Sequence, residues 1–390
     1  MKNMNQPSTT TQRIDSADAL RGLAVMCIFL LHNVEHFIFA SFPTDSPQWL
    51  TTMDSVVQNL AFNLFGGKAY AIFALLFGFT FSIQFQNQKK KGKDFGPRFL
   101  WRLLLLAGFA TLNAAFFPGG DVLMLYAVMG ISLFFVRKWS NKAILILAII
   151  FFLQPYEWIL FAMSTFDANY TLPDYGVGEM YAALSETTKN GTFLQFLWQN
   201  ITQGQLASLL WALGAGRVEQ TVGLFLVGLY VGRKGLLIES EQSTRFWTRL
   251  LILCAISFSP LYCLKEMTSD YSTATQSTLG TALDMWQKLA FTFILVSSFI
   301  LTYRNKLVQK HTASLRLYGR MSLTNYVSQS LLGMLFYMPF GLYLAPHVGV
   351  TLSVVAGILM FLCQLQFTKF WMRHHKQGPL ESLWHKATWI

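Results

Sequence analysis

The sequence predicts an all-α, polytopic integral membrane protein with about ten transmembrane helices and both termini in the cytoplasm. Three observations support this fold class. First, 53% of the 390 residues are hydrophobic and only 13% are charged, whereas soluble domains carry about 25% charged residues. Second, apolar windows of about 20 residues, the length that crosses a bilayer, recur along the chain. Third, basic residues concentrate in alternate connections between these windows.

Ten apolar windows are long enough, or nearly long enough, to cross the hydrocarbon core. They cover residues 19–40, 66–85, 99–117, 122–136, 143–163, 206–231, 247–264, 285–303, 317–342 and 348–371. The fourth window is short. The fifth contains Pro155 and Glu157, so we expect its outer half to be kinked or interfacial. Residues 1–12 lack the apolar core and cleavage site of a signal peptide, so the first window is expected to remain in the mature protein.

The distribution of charge predicts the orientation of the chain. If the chain crosses the membrane at each window, 25 of the 30 Lys and Arg residues fall on the side of the N-terminus. The opposite side receives only Lys189, Lys265 and Lys288, and two basic residues stay within windows. The positive-inside rule makes the basic side cytoplasmic. The net charge of +11 therefore reflects topology, and no nucleic-acid partner is expected. A basic cytoplasmic patch that attracts a phosphorylated donor is the alternative.

The windows divide the chain into two membrane halves. We expect a cytoplasmic tail at 1–17, a first five-helix half at 18–163, an extracytoplasmic loop at 164–204, a second five-helix half at 205–371 and a cytoplasmic tail at 372–390. The four cysteines lie in apolar runs without metal-ligand spacing, which is typical of packing residues.

The first window carries an unusual number of ionisable residues for a membrane segment. Asp18 and Arg21 are three residues apart and can pair at the cytoplasmic end. His32 follows Arg21 by about 16 Å along the helix axis, in the outer half. His32 and His36 have i,i+4 spacing, and Glu35 lies beside them, a pattern typical of a general base. There are two alternatives. These side chains are either polar groups at the headgroup level without a catalytic role, or ligands of a zinc ion, for which the sequence shows no convincing third ligand.

Two further windows carry charges. Lys68 begins the second window, two residues before Tyr70. Its ammonium group either reaches the interface or faces a cavity where it holds an anionic or carbonyl group. Arg217 and Glu219 lie within the sixth window, and we expect them to face the interior and to pair with each other or with another span.

The ninth window begins with an unusually polar segment. Arg320, Asn325 and Tyr326 lie in this segment together with several Ser, Thr and Gln residues. These side chains either line a cavity open to the cytoplasm or form hydrogen bonds between helices.

Short motifs are spread along the chain. They are Leu20-Arg21-Gly22, Gly67-Lys68 through Leu76-Phe77-Gly78, Gly120-Asp121-Val122-Leu123 with Tyr126, Gly223-Leu224-Phe225-Leu226-Val227-Gly228, Gly319-Arg320-Met321-Ser322-Leu323-Thr324-Asn325-Tyr326 and Gly378-Pro379-Leu380-Glu381. In these motifs the chain resembles the YeiB-like membrane proteins, the family of domain of unknown function 418. The resemblance covers nearly the whole chain, and the motifs of the ninth window and the C-terminal region are its specific marks.

That family is similar to a wider group of transmembrane acyltransferases, including heparan-alpha-glucosaminide acetyltransferase and the cell-envelope sugar O-acyltransferases. Those enzymes transfer acyl groups from cytoplasmic acyl-coenzyme A to acceptors across the membrane and use an intramembrane His as catalyst. The sugar O-acyltransferases show Leu-Arg-Gly followed by a His eleven residues after the Arg, which matches Arg21 and His32 here. Many YeiB-like members carry Asn at that place, whereas here His32 and Asn33 are adjacent.

The resemblance implies an inner-membrane acyltransferase that uses acyl-coenzyme A as co-substrate, with no bound cofactor and no metal. We expect catalysis by His32 with Glu35 and His36. The residues expected to bind substrate or acyl donor are Asp18, Arg21, Lys68, Tyr70, Arg217, Glu219, Arg320, Asn325 and Tyr326. The expected partners are the lipid bilayer and a small-molecule or glycan acceptor, with a homodimer left open. The alternative function is a small-molecule transporter or exporter.

Overall fold

The computed structural model describes residues 14–167 and 169–389, so most of the predicted N-terminal tail lies outside the described residues. Within the described part, regular structure is helical and no strand is present. In chain order the α-helices are α1 Asp15–Val34, α2 Gln48–Phe65, α3 Ala69–Lys90, α4 Gly96–Phe116, α5 Leu123–Met129, α6 Ile131–Val136, α7 Asn141–Phe152, α8 Pro155–Phe166, α9 Val177–Asn190, α10 Phe193–Gln199, α11 Gln205–Gly214, α12 Arg217–Arg233, α13 Glu241–Met267, α14 Thr273–Thr302, α15 Lys306–His311, α16 Ala313–Arg320, α17 Ser322–Tyr337, α18 Val350–His374 and α19 Pro379–Thr388.

Several of these helices have membrane-spanning length. In the described chain, seven helical stretches are long and apolar enough to cross a bilayer: α1, α2 with α3, α4, α7 with α8, α13, α14 and α18. The α5–α6 pair is apolar but shorter. The all-helical fold class and the presence of several membrane-spanning helices are therefore confirmed.

Four predicted windows are interrupted, and the fourth window divides at Gly130, between α5 and α6. The fifth window breaks before Pro155, where Gln154 adopts φ +57°, so the predicted kink is confirmed. The sixth window was predicted as one span, but it divides at Gly216, whose φ of +66° ends α11 and starts α12. The ninth window divides at Met321, between α16 and α17. For the sixth and ninth windows the prediction of a continuous helix is wrong, because apolar composition does not report local backbone reversals.

The first window also ends earlier than predicted. Helix α1 stops at Val34, and His36, Phe37 and Ile38 follow with φ values of +47°, +55° and +62°. These left-handed residues turn the chain sharply. The prediction that His36 shares a helix face with His32 is therefore wrong.

Glycine residues allow close contact between α3 and α12. A Cβ atom on Gly228 would lie 2.0 Å from the carbonyl oxygen of Leu75. Backbones can approach this closely only where no side chain intervenes, as in small-xxx-small helix packing. Gly228 and Gly232 thus form the packing surface of α12 toward α3, whereas Gly223 faces Phe152 of α7.

Helices α1 and α16 cross in the same way. A Cβ atom on Gly22 would lie 2.0 Å from the carbonyl oxygen of Leu315, and one on Gly319 would lie 1.9 Å from that of Asp18. Two motifs almost 300 residues apart in the sequence therefore meet in one contact, which fixes the position of α1.

Helix α19 returns to the bundle and packs on α4. Arg98 Nη1 donates to the carbonyl oxygen of Thr388 at 3.0 Å, and Trp101 Nε1 donates to that of Ala387 at 2.8 Å. The Arg102 guanidinium lies 4.2 Å above the Trp384 ring. These contacts tie α19 to α4, which lies almost 300 residues earlier in the sequence.

The carboxylate of Glu381 joins α19 to the N-terminus of α17. It accepts hydrogen bonds from the backbone N–H groups of Leu323 (2.7 Å) and Thr324 (3.1 Å) and from the Thr324 hydroxyl (2.6 Å). The first N–H groups of a helix lack intrahelical partners, so this side chain caps α17 from a distance. Burial raises the pKa of Glu381.

Candidate functional site

Helix α1 presents His32 and Glu35 as a hydrogen-bonded pair near its C-terminus. His32 Nδ1 and Glu35 Oε2 are 3.1 Å apart. The Phe117 ring packs edge-on against the imidazole, with ring centroids 4.6 Å apart. The Nε2 atom of His32 makes no hydrogen bond with the described residues. Glu35 and Phe117 thus orient the ring while one nitrogen remains available.

His32 and Glu35 line a cavity of about 390 Å³. This volume is in the range of small-molecule sites. Its wall comes from α1 and the turn after it, α2, α3, the connection after α4, α5, α9, α11 and the start of α12. The other polar or aromatic side chains of interest in the wall are Gln58, Tyr70, Asp121, Tyr181, Ser208, Trp211 and Arg217. Four predicted site residues, His32, Glu35, Tyr70 and Arg217, are thus brought together, and we call this space the His32 cavity.

Arg217 enters the His32 cavity between two aromatic rings. Its guanidinium carbon is 4.5 Å from the centroid of the Tyr70 ring and 4.3 Å from that of the Trp211 ring. The predicted pair with Glu219 is absent from the described residues, because Glu219 lies two residues further on, where side chains of a helix do not face each other. Glu219 Oε1 instead accepts from the backbone N–H of Tyr156 at 3.1 Å.

Asp121 is a residue of the cavity that was not among the predicted site residues. One carboxylate oxygen accepts from Asn113 Nδ2 at 2.9 Å and the other from the backbone N–H of Met124 at 3.0 Å. Asp121 is only 3% exposed, and burial raises its pKa to about 7. Its motif was visible in the sequence, but its charge was counted only toward topology.

Tyr70 and Lys68 have different surroundings. The Tyr70 hydroxyl donates to Gln220 on α12, so only its ring serves the cavity. The Lys68 ammonium donates to the carbonyl oxygen of Asn63 at 2.9 Å and lies 5.5 Å from the centroid of the Phe291 ring. Lys68 is 3% exposed and does not line the His32 cavity. It closes the C-terminus of α2.

His36 lies away from the cavity. Its Nδ1 is 2.8 Å from the carbonyl oxygen of Ser41, and its Nε2 is 2.7 Å from the Ser353 hydroxyl. The ring stacks on Tyr337, with centroids 4.5 Å apart. Because both ring nitrogens have partners and the side chain is fully buried, His36 holds the left-handed turn against α17 and α18.

Asp18 and Arg21 form their predicted pair at the opposite end of α1. Arg21 Nη1 donates to Asp18 Oδ1 at 2.7 Å, and Arg21 Nη2 donates to the Thr80 hydroxyl at 3.0 Å. Neither residue lines the His32 cavity.

The polar residues of the ninth window connect helices. Asn325 Nδ2 donates to the carbonyl oxygen of Tyr318 at 3.0 Å, and its Oδ1 accepts from Thr368 at 3.3 Å. Arg320 Nη2 donates to the carbonyl oxygen of Lys376 at 3.0 Å. Tyr326 is buried. Of the two alternatives for Asn325, interhelical hydrogen bonding is the one observed.

A second cavity, of about 880 Å³, lies at the Asp15 end of α1. Its charged wall residues are mostly basic: Lys90, Lys91, Arg233, Lys234 and Arg304, with the acids Asp15 and Glu239. We call it the basic cavity. The two cavities have no lining residue in common.

Metal ligands are not grouped in the described part of the chain. No three His, Cys, Asp or Glu side chains there are placed to hold one metal ion.

Comparison with known proteins identifies relatives of nearly equal length. The family described as "Protein of unknown function (DUF418)" matches residues 231–390. "Uncharacterized protein YxaH" of Bacillus subtilis (strain 168) is 26% identical over 99% of this chain and 96% of its own. "Uncharacterized protein YeiB" of Escherichia coli (strain K12) is 25% identical over 97% of this chain and 96% of its own. No solved structure matches the chain.

Proposed function

We propose an activity for this YeiB-like chain of the DUF418 family: a membrane acyltransferase that moves an acyl group from cytoplasmic acyl-coenzyme A to a hydroxyl or amine acceptor on the opposite side. One observation carries the proposal. His32 is hydrogen-bonded to Glu35 through Nδ1 at 3.1 Å and faces a ligand-sized cavity with Nε2 unoccupied by the described residues. The same pair is the usual construction of a general base.

The orientation of the chain supports opposite locations for donor and acceptor. We propose ten membrane crossings, with both termini in the cytoplasm and the chain in a bacterial-type inner membrane. Of the 30 Lys and Arg residues, 25 then lie on the cytoplasmic side, as the positive-inside rule requires. This orientation puts the basic cavity in the cytoplasmic half and the His32 cavity in the outer half.

The reaction follows from the tautomer that Glu35 favours. With Nδ1–H donating to the carboxylate, Nε2 of His32 carries the lone pair. It removes the proton of the acceptor hydroxyl or amine as the acceptor attacks the thioester carbon. The C–S bond breaks, and the thiolate of coenzyme A takes the proton back from His32. The products are an ester or amide and free coenzyme A.

The basic cavity is the best place for the donor. Its size, about 880 Å³, and its excess of Lys and Arg suit the phosphates of coenzyme A. Lys90, Lys91 and Lys234 have no hydrogen bond or ion pair to the described residues, so their ammonium groups are available. Ser16 lies in the wall of the basic cavity, about 24 Å along α1 from His32. The part of the donor that carries the acyl group therefore has to extend beside α1 to reach His32.

Acyl transfer is tested with labelled acyl-coenzyme A in membranes that contain the protein. We expect His32→Ala to lower the rate by at least about 10²-fold, the usual contribution of a general base, and Glu35→Gln to lower it less. His347→Ala is the matched control, because His347 is exposed, outside the cavity and on the same proposed side. Full activity of folded His32→Ala protein would refute the assignment.

A transporter is the second candidate, and one observation favours it. The two cavities lie at opposite ends of α1 and have no lining residue in common, an arrangement that alternating access would use. Substrate flux in proteoliposomes without any acyl donor, combined with no acyl transfer in membranes, would support transport.

A further inference from the structure

We infer that the His32 cavity takes an anionic ligand and that Arg217 binds its carboxylate or phosphate group. The inference rests on the proposed function only where it identifies this ligand as the acyl acceptor. The binding itself concerns the cavity, and it holds for a transported substrate as well.

Arg217 is the charged group of the cavity that lacks a polar partner. The carboxylate of Glu35 is bonded to His32, and both oxygens of Asp121 accept hydrogen bonds. Arg217 has only the faces of Tyr70 and Trp211 beside it and no hydrogen bond or ion pair to the described residues.

Aromatic faces position a guanidinium but do not neutralise it. A cation over a ring gains less free energy than a charged group loses when it leaves water without a counter-ion. The planar guanidinium keeps its five N–H donors, which match the oxygens of a carboxylate or phosphate. An anion from solution would therefore complete the site.

The hydroxyl groups of the cavity are committed elsewhere. Tyr70 donates to Gln220, Tyr181 donates to the carbonyl oxygen of Gly119 at 2.8 Å, and Ser208 donates to that of Asp121 at 2.9 Å. A neutral polar ligand would find few free donors, so the charge on Arg217 is the main point of attachment.

A third cavity leads to the same arginine. It measures about 370 Å³, and Arg217 and Trp211 line both it and the His32 cavity. In it, Lys265 and Lys288 both pair with Asp284, and Lys265 also pairs with Glu266 at 3.9 Å, so the two lysines are matched by two carboxylates and Arg217 is the positive charge in excess. Arg217 can therefore be reached from two cavities, and in the second it is again the charge without a partner among the described residues.

The test uses purified full-length protein and two probes, inorganic phosphate and acetate, each compared with chloride at equal ionic strength and pH. We expect at least one probe to raise the apparent Tm of the wild type in a saturable manner. Arg217→Gln should abolish the rise, and Arg217→Lys should increase the half-saturating concentration by about tenfold or more, since the paired donors are lost. The two probes distinguish a carboxylate from a phosphate ligand.

Lys189→Gln is the matched control, because Lys189 is exposed, lies outside these cavities and is on the same proposed side. It should keep the full anion response. An equal response in Arg217→Gln, or no response beyond chloride in the wild type, would overturn the inference.

A second measurement needs no variant. Phenylglyoxal modifies arginine side chains, and peptide mass spectrometry reports the rate at Arg217. Phosphate or acetate should slow modification of Arg217 and leave Arg245, whose side chain is 66% exposed, unaffected. No protection at Arg217 would also overturn the inference. Because neither measurement involves acyl-coenzyme A, anion binding without acyl transfer would remove the acyltransferase proposal and keep the anion site.

Discussion

The substitution Gly319→Ala should force α1 and α16 apart. The new Cβ atom would lie 1.9 Å from the carbonyl oxygen of Asp18 and 2.6 Å from the backbone nitrogen of Gly22. Both obstacles are backbone atoms, so no side chain can rotate away. The helices have to separate by about 1 Å before the closest contact reaches 3.0 Å, below which Cβ contacts are essentially never seen.

The cost can be estimated from this displacement. Overpacking a tight contact costs about 1–3 kcal/mol, and the better helix propensity of Ala offsets up to about 1 kcal/mol of it. Gly108→Ala is the matched control, because Gly108 lies within α4 and a Cβ there meets nothing within 4 Å. Gly108→Ala should therefore gain only the free energy that comes from the better helix propensity of Ala. The two variants should therefore differ by about 1–3 kcal/mol in the free energy of unfolding.

The assay is thermal unfolding of the two purified variants in the same detergent, followed by a fluorescent probe of exposed cysteine. Gly319→Ala should unfold at a lower temperature than the wild type and Gly108→Ala at the same or a higher one. Adding Gly22→Ala to Gly319→Ala should cost less than the sum of the single changes, since the helices are already apart. Equal unfolding temperatures for Gly319→Ala and Gly108→Ala would refute the proposed close contact.

Two further predictions concern carboxylates. Glu381→Ala removes the acceptor of two backbone N–H groups and one hydroxyl, so we expect the free energy of unfolding to fall by about 2–4 kcal/mol and α19 to be cleaved faster by protease. The control Glu241→Ala, at a side chain that is 79% exposed, should change neither quantity. An unchanged protease pattern in Glu381→Ala would contradict the capping role. For Asp121, the folded pKa of about 7 lies above the ordinary value of 3.8, so its contribution to stability is greatest below about pH 4 and is lost as the pH rises through 7. Measured against Asp121→Asn, the wild type should become less stable between pH 5 and pH 8, by about 2–3 kcal/mol; parallel stability profiles for the two proteins would rule out this titration.

Sequence reasoning found several of the membrane-spanning helices, because a long apolar run, in a chain this poor in charge, is stable mainly inside a bilayer. It also placed Glu35 beside His32, and the two side chains meet because they are three residues apart, although Glu35 follows the last residue of α1. It failed at His36, because three successive left-handed residues after Val34 leave no compositional mark. For Arg217 and Glu219 it left two alternatives, pairing with each other or with another span, because the rule that buried charges pair does not name the partner; the first alternative is not observed among the described residues, and Glu219 contacts α8 instead.

Long-range relations were beyond a single sequence. The cap of α17 by Glu381 joins segments 57 residues apart, and neither segment predicts the other. Asp121 looked like an ordinary acid in a connection until the fold placed Asn113 and the start of α5 around it. The contact between Gly22 and Gly319 likewise depends on how two distant helices cross.

The docking of α19 on α4 has a consequence for synthesis. The hydrogen bond from Arg98 to Thr388 joins residues 290 positions apart. At about 5–20 residues per second, roughly 15–60 s separate the appearance of the two partners. Until then Arg98 and Arg102 lack the Trp389 and Trp384 rings that cover them in the finished protein. The contacts of α4 with α19 are therefore completed only after α19 has been made, and a chain whose synthesis stalls before α19 would keep Arg98 and Arg102 without these partners.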